Sequence, residues 1–486
     1  MATHDVVIAG GGPTGMMLAA ELALANVDVA LVERRCDHVL VGSRAGGFHS
    51  RMIEVLDQRG VVDRFLAVGT VAQTTMFPTG NVLDMSNFPT RHPYGLAIWQ
   101  NQIERIMAEW IADLQVRIYY GCEVEGFAQH DAYVDVELSG AESLRTQYLV
   151  GCDGGRSVTR SAAGIEFRGW DPTRSNLIAE VEVTEELPRG IRTDAVGVHA
   201  LQPMADGKTV RVVVTEQQLG SGSEPTLRDL SEALVAVYGR DFGIHSPTWI
   251  SRFTDMTRQA VRYRAGRVLL AGDSAHVQYP AGGQGLGLGM QDAVNLGWKL
   301  AQVVKGTSSE SLLETYHDER HPVAARALRH SMAQGVLQRG DARTKALVDV
   351  VSEVAVMDEP RKQLAGMISG LDIHYDLGDG HPLLGRRMPD LDLMCASGPL
   401  RVFTLLHKAT PVLLTLGGPS DLGITPWTQR VQVIDARYPG QWELPVIGPV
   451  AAPHAVLIRP DGYVAWVGDG TTGGLRDALT LWFGSP

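Results

Sequence analysis

Two segments of this chain repeat one construction, and together they constrain its fold more than any other feature. The first reads DVVIA at residues 5–9, then GGGPTG, then MMLAAELALA at residues 16–25. The second reads VLLA at residues 268–271, then Gly272-Asp273, then PAGGQGLGLG at residues 280–289 and the helical pattern MQDAVNLGWKLAQVV, more than 250 residues further on. A short β-branched run that passes through glycines into helix formers reads as a buried parallel strand feeding a helix. Two such units predict an α/β chain with a Rossmann-like parallel sheet.

In the first unit Gly10, Gly12 and Gly15 fit the G-x-G-x-x-G spacing, and VDVALVE at residues 27–33 supplies a second strand ending at Glu33. Gly10 permits the tight turn, Gly12 leaves room for a pyrophosphate, and Gly15 lets helix and sheet approach closely. The phosphates then meet the positive end of the helix. Glu33 lies at about the distance, roughly 20 residues from the loop, at which a carboxylate accepts both ribose hydroxyls of an adenosine. It would repel a 2'-phosphate, which argues against NADP at this loop. The spacing alone does not choose between FAD and NAD.

The second unit supplies that choice. Asp273 stands at the carboxyl end of its strand, where ligands of open α/β sheets bind, and a carboxylate there can accept hydrogen bonds from a ribityl chain. The glycines that follow let backbone N–H groups approach a planar ligand, and the helix starting near Gly285 offers positive charge to the N1/O2 edge of a reduced flavin. Two distant loops can thus hold the two ends of one FAD. An NAD enzyme has no need of the second loop.

Composition limits the remaining classes. A chain of 486 residues should divide into two or three domains. It contains no apolar run near the roughly 18 residues of a membrane span, and MATHD at the start lacks the features of a signal peptide, so the expected location is the cytoplasm. A formal net charge of -12 argues against nucleic acid or anionic membrane as a partner. Cys36, Cys122, Cys152 and Cys395 form neither CxxC nor zinc spacing, so no metal is expected.

DVVIAGGGPTG, YLVGCDGGRSVTR at residues 148–160 and VLLAGDSAHVQYPAGGQGLGLGMQDAVNLGWKL at residues 268–300 resemble the three fingerprints of single-component, FAD-dependent aromatic hydroxylases. Within that p-hydroxybenzoate hydroxylase-like class, the likeness is to polyketide and antibiotic hydroxylases acting on tetracycline-, angucycline- and rifamycin-type substrates. It extends to Ser43-Arg44 with HSRMIEVLDQRG, to Gln100, and to HPLLGRRMPDL at residues 381–391, and so covers nearly the whole chain. The resemblance implies that FAD is lined by Gly10, Gly12, Pro13, Thr14, Gly15, Glu33, Arg34, Arg44, Gln100, Val124, Asp153, Asp273, Pro280, Gly283, Gly285, Leu286 and Gly287. Asp153-Gly154, with Arg156, matches the motif linked to FAD and to transient NADPH. Relatives usually read GQGLN where this chain has GQGLG, so Gly287 replaces an asparagine.

The same likeness implies an FAD-binding domain at residues 1–168 and 263–388, with part of 70–100 joining the substrate domain. Residues 169–262 read as an antiparallel sheet over the flavin, on which Thr209, Arg211, Val213 and Thr215 share one face. Arg211 could bind a substrate oxygen, a solvated charge being the simpler reading. Residues 389–486 carry strands, a hairpin through residues 460–462 and a closing helix, and resemble a thioredoxin-like domain lacking CxxC.

The implied reaction has NAD(P)H reduce FAD, O2 add to give a flavin 4a-hydroperoxide, and the terminal oxygen pass to an electron-rich polycyclic aromatic ring. His49 is the local candidate for a base, beside Arg44, or else it satisfies backbone groups. Pro280 would shape the wall near the reactive edge, and His276 reads as structural. Baeyer–Villiger or ring-opening oxygenation uses the same scaffold, and a non-catalytic FAD-binding protein is the reading from another class. The chain is expected to be a monomer or homodimer.

Overall fold

The order of strands in the central sheet is what brings the distant loops together. In the computed structural model, which describes residues 2–188, 190–194, 196–204, 206–220, 222–417 and 422–486, the principal elements run in chain order. They are β1 (Ala2–Ala9), α1 (Pro13–Leu24), β2 (Val29–Glu33), α2 (Ser50–Gln58), β3 (Arg117–Tyr120), β4 (Leu144–Gly151), β5 (Ser175–Glu182), β6 (Val198–Pro203), β7 (Thr209–Thr215), α3 (Leu227–Tyr238), β8 (His245–Thr254), β9 (Val268–Leu270), α4 (Gly285–Val304) and α5 (Glu314–Leu337).

The parallel strands lie in the order β9-β4-β1-β2-β3. β1 is therefore central, and Val6, Val7 and Ile8 are fully buried, as a strand covered on both faces requires. α1 begins at Pro13, three residues before the apolar run suggested, because proline's fixed φ suits the first helical position after an extended Gly12. It packs along α4 so closely that a Cβ on Gly297 would stand 2.4 Å from that of Glu21.

A second, five-stranded sheet is antiparallel and runs from Ile191–Thr193 through β6, β7, β5 and β8. Alternation sends Leu177, Ala179, Val181, Val210, Val212 and Val214 towards α3, where they form one core with Leu230 and Leu234. Asn176, Ile178, Glu180, Arg211, Val213 and Thr215 take the opposite face. The last strand of this sheet ends at Thr254, before Asp255, whose carboxylate turns to accept the N–H groups of Thr173 and Arg174. Beyond it, Thr257–Ala260 pairs with Phe167–Trp170 and His276–Val277 in a sheet of its own.

Residues 70–100 do not extend the antiparallel sheet. Thr70–Ala72 and Gly95–Ala97 pair with each other, and Gly95–Ala97 also pairs with Gly47–Phe48. Phe77, Leu83 and Met85 bury themselves on Ala365 and Ile368 of the helix Asp358–Ser369, which is the apolar partner within reach. The tail forms a six-stranded sheet closed by the helix Leu475–Phe483, and its hairpin turns at Gly462, whose N–H donates to Arg459 at 2.9 Å. Among the described residues, no helix is long and apolar enough to cross a membrane.

Candidate functional site

β1, β4 and β9 are neighbours and parallel, so the turns that leave their carboxyl ends, after Ala9, Gly151 and Leu270, open at one edge of the sheet. Backbone bonds lock them: Cys152 N–H donates to Ala9 at 2.7 Å and Ala271 N–H to Gly151 at 3.0 Å. Gly10 has φ +104 and a Cβ there would lie 2.4 Å from the Cys152 carbonyl oxygen, so no other residue fits. A Cβ on Gly15 would meet the Gly10 carbonyl oxygen at 2.0 Å, whereas one on Gly12 would meet nothing within 4 Å. Helix and turn are thus in contact, and the backbone at Gly12, just ahead of Pro13, is open to a ligand. Thr14 stands between the second loop and α4, where a Cβ on Gly272 or Gly289 would strike its hydroxyl.

Glu33 is buried, and protein donors already hold it. One oxygen accepts the Gly11 N–H at 2.8 Å, the other the N–H and Nε of Arg35 at 2.9 and 3.0 Å. Arg35 also donates to Glu104 at 2.7 Å. Arg34, which the resemblance implies lines FAD, is exposed, and its neighbour Arg35, which the sequence reading passed over, braces the carboxylate. The Val124 side chain is buried in the core with Val7, Ala9 and Ala30, so a contact of this residue with FAD would be made by its backbone.

Gln100 fixes the Arg44 segment. Its Oε1 accepts the N–H groups of Arg44 and Ala45 at 3.3 and 3.2 Å, and its Nε2 donates to Glu104 at 2.9 Å. The Arg44 guanidinium reaches Ser251 Oγ on β8 at 2.6 Å. Burial lowers its pKa, Asp273 opposes that, and Arg156 reinforces it, so groups from three segments face one another. Burial raises the Asp273 carboxyl, while His276 and Arg44 restrain it. Asp273 is open to solvent yet shut in by protein, which places it on the wall of a cleft rather than on the outer surface.

The loop that begins at the exposed Pro280 turns through Gly282 and Gly283, with φ +77 and +64. His49 Nε2 donates to the Gly282 carbonyl at 2.7 Å, and burial lowers the pKa of its ring. Gly285, Leu286 and Gly287 present the first N–H groups of α4. A Cβ on Gly287 would meet Met52 at an ordinary 3.6 Å, so packing does not demand glycine there. His276 is structural, as read: its Nε2 lies 2.6 Å from Asp292 and the ring is buried.

Arg211 is neither solvated nor open to a substrate. It is buried, pairs with Glu180 at 3.3 Å, and donates to the carbonyls of Ser43 and Arg44, clamping that segment to β7. Asp153 accepts the Thr159 N–H at 2.9 Å through one oxygen, and its other oxygen is buried without a partner among the described residues. The open Gly12, this unpartnered oxygen, the cleft-facing Asp273 and the α4 N-terminus are the donor, acceptor and space requirements of an FAD. The residues fit the cofactor.

Comparison with known proteins agrees with this geometry. Residues 3–331 match the family described as FAD binding domain, and residues 381–486 the family described as aromatic-ring hydroxylase, C-terminal. The chain is 42% identical over 99% of both lengths to a 12-dehydrotetracycline 5-monooxygenase/anhydrotetracycline 6-monooxygenase of Streptomyces rimosus subsp. rimosus. It is 40% identical, again over 99% of each, to a rifampicin monooxygenase of Streptomyces venezuelae. The solved structure of the anhydrotetracycline hydroxylase OxyS from Streptomyces rimosus covers all of both chains with a TM-score of 0.92 at 41% identity. With three fingerprint loops meeting at one sheet edge and this likeness running end to end, the chain belongs to the FAD-dependent aromatic-ring hydroxylases and is a flavoprotein monooxygenase.

Proposed function

We propose that the chain uses NAD(P)H and O2 to hydroxylate a polycyclic aromatic substrate of polyketide or antibiotic type. The observation that carries this reading is that the inner face of β5, β7 and β8, bearing Asn176, Glu180, Thr215 and Ser251, is clamped through Arg211 to the Arg44 segment. Bound FAD supplies the redox chemistry, in which two electrons from NAD(P)H let one oxygen atom enter the substrate while the other leaves as water. The chain's own residues position and shield. Gln100 and Ser251 set Arg44, while Gly12, Thr14, Asp153, Asp273 and the N–H groups of residues 285–287 would hold the cofactor. Burial lowers the pKa of the His49 ring and its Nε2 proton goes to Gly282, so Nδ1 would take the proton of a phenol as the ring is oxidised. Pro280 shapes the adjoining wall.

We read residues 1–168 with 263–388 as the cofactor domain, 169–262 as the substrate domain, and 389–486 as a thioredoxin-like tail without CxxC. The protein is read as cytoplasmic, where NAD(P)H is at hand. The test is NADPH oxidation under air by the FAD-loaded protein against tetracyclines, anthraquinones, rifamycins and polycyclic phenols, with products weighed. Coupled gain of one oxygen establishes the monooxygenase, and product NMR separates ring hydroxylation from Baeyer–Villiger insertion. No stimulation by any compound, together with no flavin reduction in stopped flow, would instead show a binding protein.

A further inference from the structure

Against the inner face of the antiparallel sheet lies a cavity of about 190 Å³, lined by Trp170, Arg174, Asn176, Thr215, Tyr279 and Met332 among others. Asn176 is 2% exposed, and its Nδ2 has no hydrogen-bond partner among the described residues. A buried amide left without an acceptor is costly, and this one has a prepared orientation. The Thr215 hydroxyl donates to Asn176 Oδ1 at 2.8 Å. Thr215 N–H in turn donates to His199 Nδ1 at 3.2 Å, which leaves the ring proton on Nε2 for Asp194 at 3.1 Å. The Thr215 hydroxyl also lies 3.3 Å from the Val198 carbonyl, and its shorter bond to Oδ1 leaves the N–H2 end as a donor. Asp255, a carboxylate on the same rim, is already taken by Thr173 and Arg174.

Glu180 lies opposite Arg211 and Asn176 opposite Thr215, four residues further along each strand. At roughly 3.3 Å per residue, Asn176 stands about 13 Å beyond the Arg211 clamp on the same face. Ser251, which the Arg44 guanidinium reaches, lies opposite Ile178, two residues nearer, so the cavity adjoins the cofactor side of the sheet. Tyr279 adjoins Pro280, so the cavity continues the wall of the candidate site, and its ring, tilted 34° to that of Phe253 at 6.1 Å, offers a flat apolar side.

We infer that Asn176 is a specificity-determining residue whose amide donates to an oxygen acceptor on the substrate, outside the ring that is oxidised. The inference rests on the polycyclic reading proposed above. Its test measures binding to the FAD-loaded protein, by perturbation of the flavin spectrum, of two tetracyclic phenols that differ only in a ketone oxygen on the terminal ring. The variants are Asn176→Asp, which replaces donor by acceptor at constant shape, and Thr215→Val, which frees the amide to turn. Wild type should bind the ketone at least tenfold tighter than its deoxo counterpart. Asn176→Asp should abolish that difference while leaving affinity for the deoxo compound near wild type, the buried carboxylate itself lowering the melting temperature, and Thr215→Val should reduce it. Equal binding of the two probes by wild type would mean that the amide meets a buried water only, and would overturn the inference. So would loss of both probes alike in Asn176→Asp, which marks a residue that merely supports the sheet, or unchanged discrimination, which marks a reversed amide. If neither probe binds wild type, the polycyclic reading itself fails and the inference falls with it.

Discussion

The guanidinium of Arg320 donates to the Asp292 carboxylate at 2.7 Å, and neither side chain reaches solvent. The other oxygen of Asp292 accepts the Gly272 N–H at 3.2 Å and lies 2.6 Å from His276 Nε2. The residue before Asp273 is therefore braced from behind by a buried ion pair. Asp292→Ala leaves Arg320 uncompensated, which should cost about 3–5 kcal/mol. FAD retention should fall with it, read by urea melts and flavin fluorescence titration. Wild-type flavin affinity in that variant would detach the brace from the cofactor.

A second buried network fastens the tail. Arg459 donates to both oxygens of Glu319 at 2.5 and 2.8 Å, and Lys299 donates to the same carboxylate at 2.9 Å. Burial works to raise the Glu319 carboxyl, but Arg459 and Lys299 outweigh it and bring it down to about 2. Burial brings Lys299 down to about 8, because Glu319 is shared and Arg459 repels the ammonium. Both shifts are downward, which favours the charged carboxylate but disfavours the charged ammonium, and the firm bond is the one between Glu319 and Arg459. Glu319→Gln should thus cost about 3–5 kcal/mol and Lys299→Met distinctly less. Equal losses in chemical denaturation would contradict this division.

Arg44→Ala removes a charged donor held at Ser251 and set by Gln100. A hydrogen bond from a charged group is worth roughly 1.5–3 kcal/mol, so flavin retention or the rate of flavin reduction should drop about tenfold or more. Gln100→Ala should reproduce part of the loss. Unchanged retention and turnover in Arg44→Ala would remove it from the site.

The fold and the three loops were legible because strand, glycine and helix signals are local, and the parallel order of β1, β4 and β9 brings such segments together. What escaped were partners chosen by packing. Arg35 meets Glu33, Val124 turns into the core, and Arg211 closes on carbonyls 167 and 168 residues away in sequence. Alternation gave the face of Arg211 correctly. It could not show that another backbone lies against that face.

Gly287→Asn tests the departure from the GQGLN pattern. With Met52 at 3.6 Å from an added Cβ, the side chain can be housed, and stability should change by no more than about 0.5 kcal/mol. Flavin affinity should hold or rise. A loss of several degrees in melting temperature would show that the site has closed around glycine.

His330 gives a pH signature. Burial, with Arg326 and Arg329, lowers its pKa from 6.5 to about 4, Asp372 opposing. The unfolded chain takes up a proton at 6.5 that the folded one refuses, so this contribution is whole above pH 6.5 and is lost as pH falls towards 4. The ring is only partly buried and solvent screens its neighbours, so the effect is small. His330→Gln should flatten that part of the stability profile in urea melts between pH 7 and 4.5.

The central place of β1 has a consequence for synthesis. It is translated before β4 and β9, which complete its side of the sheet only at Leu270, and α1 lacks the cover of α4 until Val304. At about 5–20 residues per second, an apolar strand and helix wait on the order of 10–50 s beside the ribosome. Flavin can load only after that interval. A cell short of chaperones would lose this protein as an aggregating nascent chain before it lost any of the finished, flavin-bound form.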